Sequence, residues 1–479
     1  MIDTHALNTD LFIGGAWVPA SSRARFDVLD PSTGQVITSV ADAALPDGQA
    51  AVDAASAASP GWAATPPRER GEVLRRAFEL MTARVDWFAE LISRENGKAL
   101  PDARAEVRYA AEFFRWFAEE AVRASGDLRT APAGGNRILV QQLPVGVSLL
   151  ITPWNFPAAM ATRKIGPALA AGCAVILKPA GETPLTAYAL AALLAEAGAP
   201  AGVVNVLTTS KSGALVSALL RDPRVRKLSF TGSTEVGRVL LREAAGNVVN
   251  CSMELGGNAP FIVCDDANLD EALAGAMVAK MRNGGEACTS ANRFYVQRGI
   301  FDRFAAGLAE RMGAMVVGTG YDERTTCGPL INRGAVEKVD ALVSAAVAGG
   351  ARVLLGGTPR KGCFYPPTVL VNVSAGAAIL REEIFGPVAV LVPFDTDEEA
   401  VRLANDTEYG LVAYLYSGDL KRGLAMADRL EAGMVGVNRG LVSDPSAPFG
   451  GVKQSGIGRE GAHEGLMAFL ETKYIAVSW

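Results

Sequence analysis

From residue 145 onward the chain repeats one unit, a short β-branched apolar run followed by a helical run. Residues 147–151, 174–177, 203–207, 227–230 and 248–253 read as strands. Residues 158–171, 184–197, 214–220 and 233–244 read as helices, and Pro184 opens the second of them at an early helical position. A strand followed by a helix and another strand makes a parallel pair, because the helix supplies the crossover that parallel strands need. The predicted architecture is therefore α/β, a parallel sheet covered on both faces. Such sheets bind ligands beyond the C-terminal ends of their strands, so the loops there are where a site is expected.

A second α/β block begins near Gly256, with strands at 261–263, 294–297, 389–394, 412–416 and 435–437 and helices such as 269–281 and 420–431. The first hundred residues read as helices after a short β start at 11–18. Residues 104–120 form a long amphipathic helix whose Phe113, Phe114, Trp116 and Phe117 are expected to face core. Residues 137–142 and 473–479 alternate like exposed strands. They can pair with each other or with another subunit.

Hydrophobic residues make up 49% of the 479 and charged residues 20%, enough apolar surface for the two or three domains this length suggests. The net charge is −5 and no segment concentrates Lys and Arg with aromatics, so no nucleic-acid partner is expected. Residues 1–10 lack a basic start followed by an apolar core, so no signal peptide is expected. No apolar run reaches the roughly 18 residues of a membrane span; the Ala-rich stretch around Leu190 reads as a buried helix. Cys173, Cys251, Cys264, Cys288, Cys327 and Cys363 form no CxxC pair, so neither a metal site nor a dithiol motif is expected. Such usage fits a reducing compartment, the cytoplasm. The two histidines are His5, in an N-terminal segment expected to fray, and His463, read as a surface residue of a Gly-rich tail. A general base is therefore expected to be a carboxylate.

Thr231-Gly232-Ser233 closes a predicted strand and opens a helix. Free N–H groups at a helix start suit a pyrophosphate, and Gly-Ser-Thr is equally an ordinary cap. The one literal GxGxxG, residues 456–461, follows no predicted strand and reads as a mobile loop rather than a phosphate cradle. Cys288 lies in a glycine-rich polar turn, unlike Cys173 and Cys264 in apolar runs. It reads as a solvent-accessible nucleophile or as an incidental loop cysteine. Glu254 ends an apolar strand and reads as a surface terminus or as a general base, because desolvation there would raise its pKa. Asn155, in a Pro-flanked loop, is an oxyanion donor or the start of an Asx turn.

Together these segments resemble the aldehyde dehydrogenase superfamily over essentially the whole chain. The likeness is carried, in order, by TPWNFP (152–157), KPA (178–180), FTGSTEVG (230–237), MELGGN (253–258), GGEACTSANR (284–293), EEIFGP (382–387) and PFGGVKQSGIGRE (448–460). The resemblance implies a Rossmann-like parallel-sheet cofactor domain over 1–127 and 144–254. It implies a second α/β catalytic domain over 255–448, and a small β oligomerisation flap with bridging segments over 128–143 and 449–479. A homodimer or homotetramer follows. It implies Cys288 as nucleophile, Glu254 as general base, Asn155 as oxyanion donor and Glu460 as a second glutamate in a proton relay. Lys178 would hold the cofactor ribose, Ser233 the pyrophosphate, and Glu383 and Phe385 the nicotinamide riboside. Thr152, Pro153, Trp154, Thr231, Gly232 and Leu255 would complete the cofactor's surroundings. Acylating, CoA-dependent members lack the glutamate base, and retention of Cys288, Glu254, Asn155 and Lys178 argues against a non-catalytic binding protein.

Within the superfamily the chain most resembles the succinate-semialdehyde dehydrogenases. Arg163 and Arg282 match that group's carboxylate-binding arginines and Ser443 its serine partner. A guanidinium fork suits a small aldehyde with a distal carboxylate. Glutarate semialdehyde is the alternative, since one methylene is worth only about 1–3 kcal/mol of discrimination. Relatives that prefer NAD often carry a glutamate three residues after the KPA lysine; here Gly181 stands there and leaves room for a 2′-phosphate, with Lys211 at a matching basic position. The expected cofactor is NADP, with NAD the second choice. Ser290 replaces a cysteine that many relatives have two residues after the nucleophile, so no disulfide switch is expected there.

Overall fold

The computed structural model describes residues 7–478; His5 and Trp479 lie outside them. Two sheets carry the fold. The first runs Gly456–Ile457, Asn250–Glu254, Val225–Thr231, Val147–Ile151, Val175–Lys178, Val204–Val206, Leu11–Ile13, Ala16–Val18. Its five central strands are parallel, with an antiparallel hairpin on one edge and Gly456–Ile457 antiparallel on the other. Chain order reverses between Val147–Ile151 and Val225–Thr231, so their adjacent C-terminal ends open a crevice. Val147–Ile151 and Val175–Lys178 are buried throughout because helices cover both faces of the sheet. Helix Pro157–Ala171 starts on Pro157 and ends at Gly172 in the left-handed conformation. The Ala-rich helix Pro184–Glu196 is largely buried.

The second sheet runs Arg352–Leu355, Thr368–Val371, Val388–Phe394, Ala291–Gln297, Ala259–Val263, Val412–Tyr416, Met434–Val437, parallel except at its first strand. Helix Leu100–Glu120 packs on Pro67–Ala83 and Pro157–Ala171. It buries Phe113, Phe114 and Phe117, each stabilising by about 1.5–3 kcal/mol, and half-buries Trp116. The two lone strands pair with each other: Leu470–Val477 lies antiparallel on Arg137–Pro144, and Asp127–Thr130 adds an exposed third strand.

Three expectations need correction. The first hundred residues hold a second hairpin, Arg25–Leu29 with Val36–Ala41. Its signal is the Asp30-Pro31-Ser32-Thr33-Gly34 turn, in which the Asp30 carboxylate accepts from Ser32 N at 2.7 Å and Gly34 takes φ 73°. The helix expected at 420–431 stops at Ala427, because the chain must turn for Met434–Val437 to enter the sheet beside Val412–Tyr416. Residues 456–461 are not a mobile loop: Gly456 and Ile457 pair with Glu254 and Met253.

Candidate active site

The crevice is a cavity of about 820 Å³, a size suited to a cofactor and a small substrate. Thr152, Pro153, Trp154, Lys178, Gly181, Thr231, Gly232, Ser233, Leu255, Glu383 and Phe385 all line it, and so do Asn155 and Cys288. Helix Thr234–Ala245 points its N-terminus in, capped by Ser233 Oγ, which accepts from Val236 N at 3.4 Å. A side chain at Gly232 would put its Cβ 2.4 Å from the Phe230 ring, so only glycine fits here without displacing that ring. Phe385 meets Trp154 edge-on, their centroids 5.4 Å apart. A dinucleotide fits the groove on two observations. Thr231 Oγ1 is buried with no hydrogen-bond partner among the described residues. The buried Lys178 ammonium is pulled below its ordinary range by desolvation, opposed only by Glu182. Lys211 is exposed at the start of helix Ser212–Arg221, and it is the neighbouring Ser212 and Gly213 that line the cavity.

The Cys288 loop is built by strained backbone. After helix Leu269–Met281, Asn283 and Gly284 both take left-handed φ of 54° and 59°. Asn283 N donates to Asp102 Oδ2 at 2.8 Å, and its side chain donates to the carbonyls of Asn155 and Glu286 at 2.9 and 3.1 Å. A Cβ at Gly285 would stand 2.2 Å from Gly386 O, so the loop lies directly on the segment that carries Phe385. Cys288 itself is half-buried rather than freely exposed. Burial pushes its thiol up to about 11; Arg163 and, more weakly, Arg282 draw it down, while Glu383 and Glu254 raise it. Asn155 Nδ2 donates to Glu286 O at 3.0 Å, which fixes the amide beside the Cys288 loop.

Glu254 is not a surface terminus. It is buried, and neither carboxylate oxygen has a partner among the described residues. Desolvation, then the charge of Glu460, holds its carboxyl well above the ordinary range. Glu460 pairs with Lys164 and lies 3.7 Å from Arg163 Nη1. Glu383 is likewise raised, to about 7 by burial, although its Oε1 accepts from Gly257 N at 3.1 Å.

Arg163 and Arg282 both act on Cys288 electrostatically. Arg163 is 1% exposed, its guanidinium 4.0 Å from the Phe449 ring centre and 5.1 Å from that of Phe113. Nη2 donates to Tyr109 OH, while Nε and Nη1 have no hydrogen-bond partner among the described residues. Arg282 lies 4.9 Å from the Phe156 ring centre. Ser443 is half-buried in the 441–447 loop and makes no side-chain hydrogen bond among the described residues. Ser290 is buried, its Oγ donating to Lys280 O at 3.4 Å. His463 is a surface residue, its Nδ1 2.8 Å from Glu120 Oε2.

Sequence reasoning missed Lys164, Glu286, Tyr109 and Phe449. Lys164 carried a signal: Arg163-Lys164 is a basic pair inside the apolar run 157–171, which is buried throughout. Glu286 carried one as well, a carboxylate two residues from the cysteine; it is buried, accepts from Ile331 N at 3.1 Å, and is raised to about 8 by desolvation. Tyr109 and Phe449 had none, because only tertiary packing brings them to Arg163.

A half-buried cysteine and a buried carboxylate stand at the switch point of a Rossmann-like sheet, and the class is that of the family whose model matches residues 17–475: the chain belongs to the aldehyde dehydrogenase family. It is an NAD(P)-dependent oxidoreductase of aldehydes. It is similar to the succinate-semialdehyde dehydrogenase of Paenarthrobacter nicotinovorans, 54% identical over 445 residues covering 92% of this chain and 99% of that protein. It is similar also to the glutarate-semialdehyde dehydrogenase of Pseudomonas putida, 48% identical over 476 residues covering 99% of each. The crystal structure of an E. coli NADP dependent enzyme superposes with a TM-score of 0.98 at 47% identity, covering 100% of this chain and 99% of that one.

Proposed function

We propose that this protein oxidises succinate semialdehyde to succinate through a covalent intermediate on Cys288. The observation that carries the substrate assignment is Arg163: a buried guanidinium that acts on Cys288 and keeps two nitrogens without hydrogen-bond partners. Leaving such donors buried and unpaired costs roughly 1–3 kcal/mol each, a cost a distal carboxylate would relieve. Arg282 adds a second positive charge, and Ser443 a hydroxyl at the matching loop. Glutarate semialdehyde is the second reading, favoured by the relative of that name.

The chemistry follows from the surroundings of Cys288. The sulfur, its proton taken up by a base, attacks the aldehyde carbon to give a thiohemiacetal. The Asn155 amide and the Cys288 N–H stabilise the oxyanion, worth about 2.7–4 kcal/mol per donor in comparable sites. A nicotinamide dinucleotide, when bound, supplies the hydride acceptor that leaves a thioester on the sulfur. Thr231, Gly232, Ser233 and the start of the following helix would hold its pyrophosphate and Lys178 its ribose. Glu383 and Phe385 would hold its nicotinamide riboside, with Thr152, Pro153, Trp154 and Leu255 along the groove. Glu254, buried and with neither carboxylate oxygen partnered among the described residues, then deprotonates the water that hydrolyses the thioester. NADP is the proposed preference: Gly181 and Gly213 leave space, Lys211 brings positive charge to that rim, and the E. coli neighbour is NADP dependent. The exposed Asp127–Thr130 strand supports a homodimer or homotetramer built through the three-stranded sheet.

The test is a kcat/KM panel of C2–C6 aldehydes with and without a terminal carboxylate, using NADP and NAD, followed by iodoacetamide. The C4 carboxylated aldehyde should rank first and alkylation should abolish turnover. Preference for butanal over succinate semialdehyde would reject the substrate assignment.

A further inference from the structure

Connections between helices run over the surface as a rule, because their backbone groups need water. The segment Glu95-Asn96-Gly97-Lys98 does not, although three of its four side chains are polar: Glu95 is 0%, Asn96 1% and Lys98 3% exposed. It joins helix Val85–Asn96 to helix Leu100–Glu120, and Gly97, at φ 90°, ends the first of them in the left-handed conformation. Residues 320–328 cover it. Leu100 N donates to Gly320 O at 3.0 Å, and a Cβ at Gly320 or Gly328 would stand 2.2 or 2.1 Å from Gly97 O. Ser93 Oγ donates to Lys98 O at 2.7 Å and closes the turn from the other side.

Each buried polar group has a definite partner. Glu95 Oε2 accepts from Leu185 N at 2.7 Å and Oε1 from Thr186 N at 2.9 Å, at the start of helix Pro184–Glu196. Asn96 Nδ2 donates to Trp154 O at 3.1 Å. Lys98 Nζ donates to the next carbonyl, Asn155 O, at 2.6 Å. The same ammonium pairs with the Glu106 carboxylate, both side chains 0% exposed, and stands 4.1 Å from the Phe156 ring centre. Glu106 Oε1 accepts in turn from Ala158 N and Ala159 N at 2.9 and 3.2 Å, so it caps helix Pro157–Ala171. Neither charge is left without a partner, which burial this deep requires.

The Asn155 carbonyl is gripped twice, since Asn283 Nδ2 also donates to it, at 2.9 Å. The Asn155 amide itself is held by one bond, from Nδ2 to Glu286 O, and its Oδ1 has no partner among the described residues. One amide hydrogen is therefore left for a ligand oxygen, and the backbone must aim it. We propose that Lys98 is a positioning residue for the dehydrogenation: it fixes the Asn155 backbone so that the free amide hydrogen points at the oxyanion formed on attack by Cys288. The inference rests on Asn155 being the oxyanion donor. Lys98 does not line the cavity and would touch no substrate. Its ammonium is taken up by Glu106 and the Asn155 carbonyl, so it acts through Asn155 alone. Asn96 steadies the preceding carbonyl in the same way.

The experiment measures the stopped-flow burst of cofactor reduction with succinate semialdehyde, and separately the rate of Cys288 alkylation by iodoacetamide. Alkylation forms no oxyanion, so it reports the thiol and its loop without Asn155. The enzymes are the parent, Lys98→Met, Asn155→Ala and the two combined. Lys98→Met should slow the burst by about tenfold or more, because small misplacements of a catalytic group are costly. Its alkylation rate should stay within about twofold of the parent's. In the Asn155→Ala background, adding Lys98→Met should change the burst by less than about threefold, since the two residues act as one unit. Lys98→Met leaves the Glu106 charge unpaired; if it fails to fold, Lys98→Met/Glu106→Gln takes its place, losing both charges while the glutamine oxygen still caps the helix. An unchanged burst in Lys98→Met, an equal fall in both backgrounds, or an equal fall in alkylation overturns the role of Lys98. A normal burst in Asn155→Ala would instead overturn the oxyanion assignment, and this proposal with it.

Discussion

Replacing Arg163 by Met removes the guanidinium while an unbranched chain continues to cover Phe449 and Phe113. A distal carboxylate would take one charge-assisted hydrogen bond from Nη1, which has no hydrogen-bond partner among the described residues, and one from the remaining hydrogen of Nη2, each worth about 1.5–3 kcal/mol. Two such bonds sum to about 3–6 kcal/mol. Arg282 remains, and Glu460 already lies 3.7 Å from Nη1, so the lower end applies. About 3 kcal/mol corresponds to roughly 150-fold in kcat/KM. Arg163 also draws the Cys288 thiol down, so its loss slows attack on any aldehyde. That part cancels in a ratio. The assay is therefore kcat/KM for succinate semialdehyde divided by that for butanal, parent against Arg163→Met. The ratio should fall by roughly 150-fold, mostly through KM. An equal fall for both substrates would refute the reasoning and leave Arg163 a purely structural cation.

Cys288→Ala should remove dehydrogenation, and with Ser290 beside it peroxide should add oxygen to Cys288 without a new disulfide, as intact mass would report. Lys211→Ala should lower kcat/KM for NADP about fivefold and leave NAD unmoved, in keeping with the ~1 kcal/mol of an exposed charge; the difference should shrink at high salt. Glu286 has a folded pKa of about 8 against 4.5 unfolded, so the folded state binds its proton more tightly. The stability it contributes is present below about 4.5 and lost as pH rises through 8, by up to about 1.4 kcal/mol per pH unit. Glu286→Gln should flatten that fall in urea midpoints; parallel curves for the two proteins would contradict the assignment.

The fold was legible wherever one strand or helix carries its own pattern. The β-branched runs of the first sheet, Pro157 and Gly172 at the ends of one helix, and Ser233 as a cap are local features, and the structure places all of them within a residue or two of expectation. The hairpin at 25–41 is hard to read from its strands, which alternate only weakly, and its turn residues are the one local signal. The 456–461 segment misled because glycines suit both a mobile loop and a backbone that must lie flat on a neighbour.

By itself the chain determined the order of strands and helices, the parallel sheet they imply, and the residue types that meet at its C-terminal edge. Tertiary structure alone decided the electrostatics. Cys288 and Glu254 are 34 positions apart, and Glu460 stands far beyond both, yet a single desolvated site holds all three. A pKa depends on which charges and how much water surround a group, and no local pattern encodes that. The same holds for Arg163: its sequence neighbours say that it is buried, but only tertiary structure brings Phe449 and Tyr109 to its guanidinium and leaves Nε and Nη1 without a hydrogen bond among the described residues.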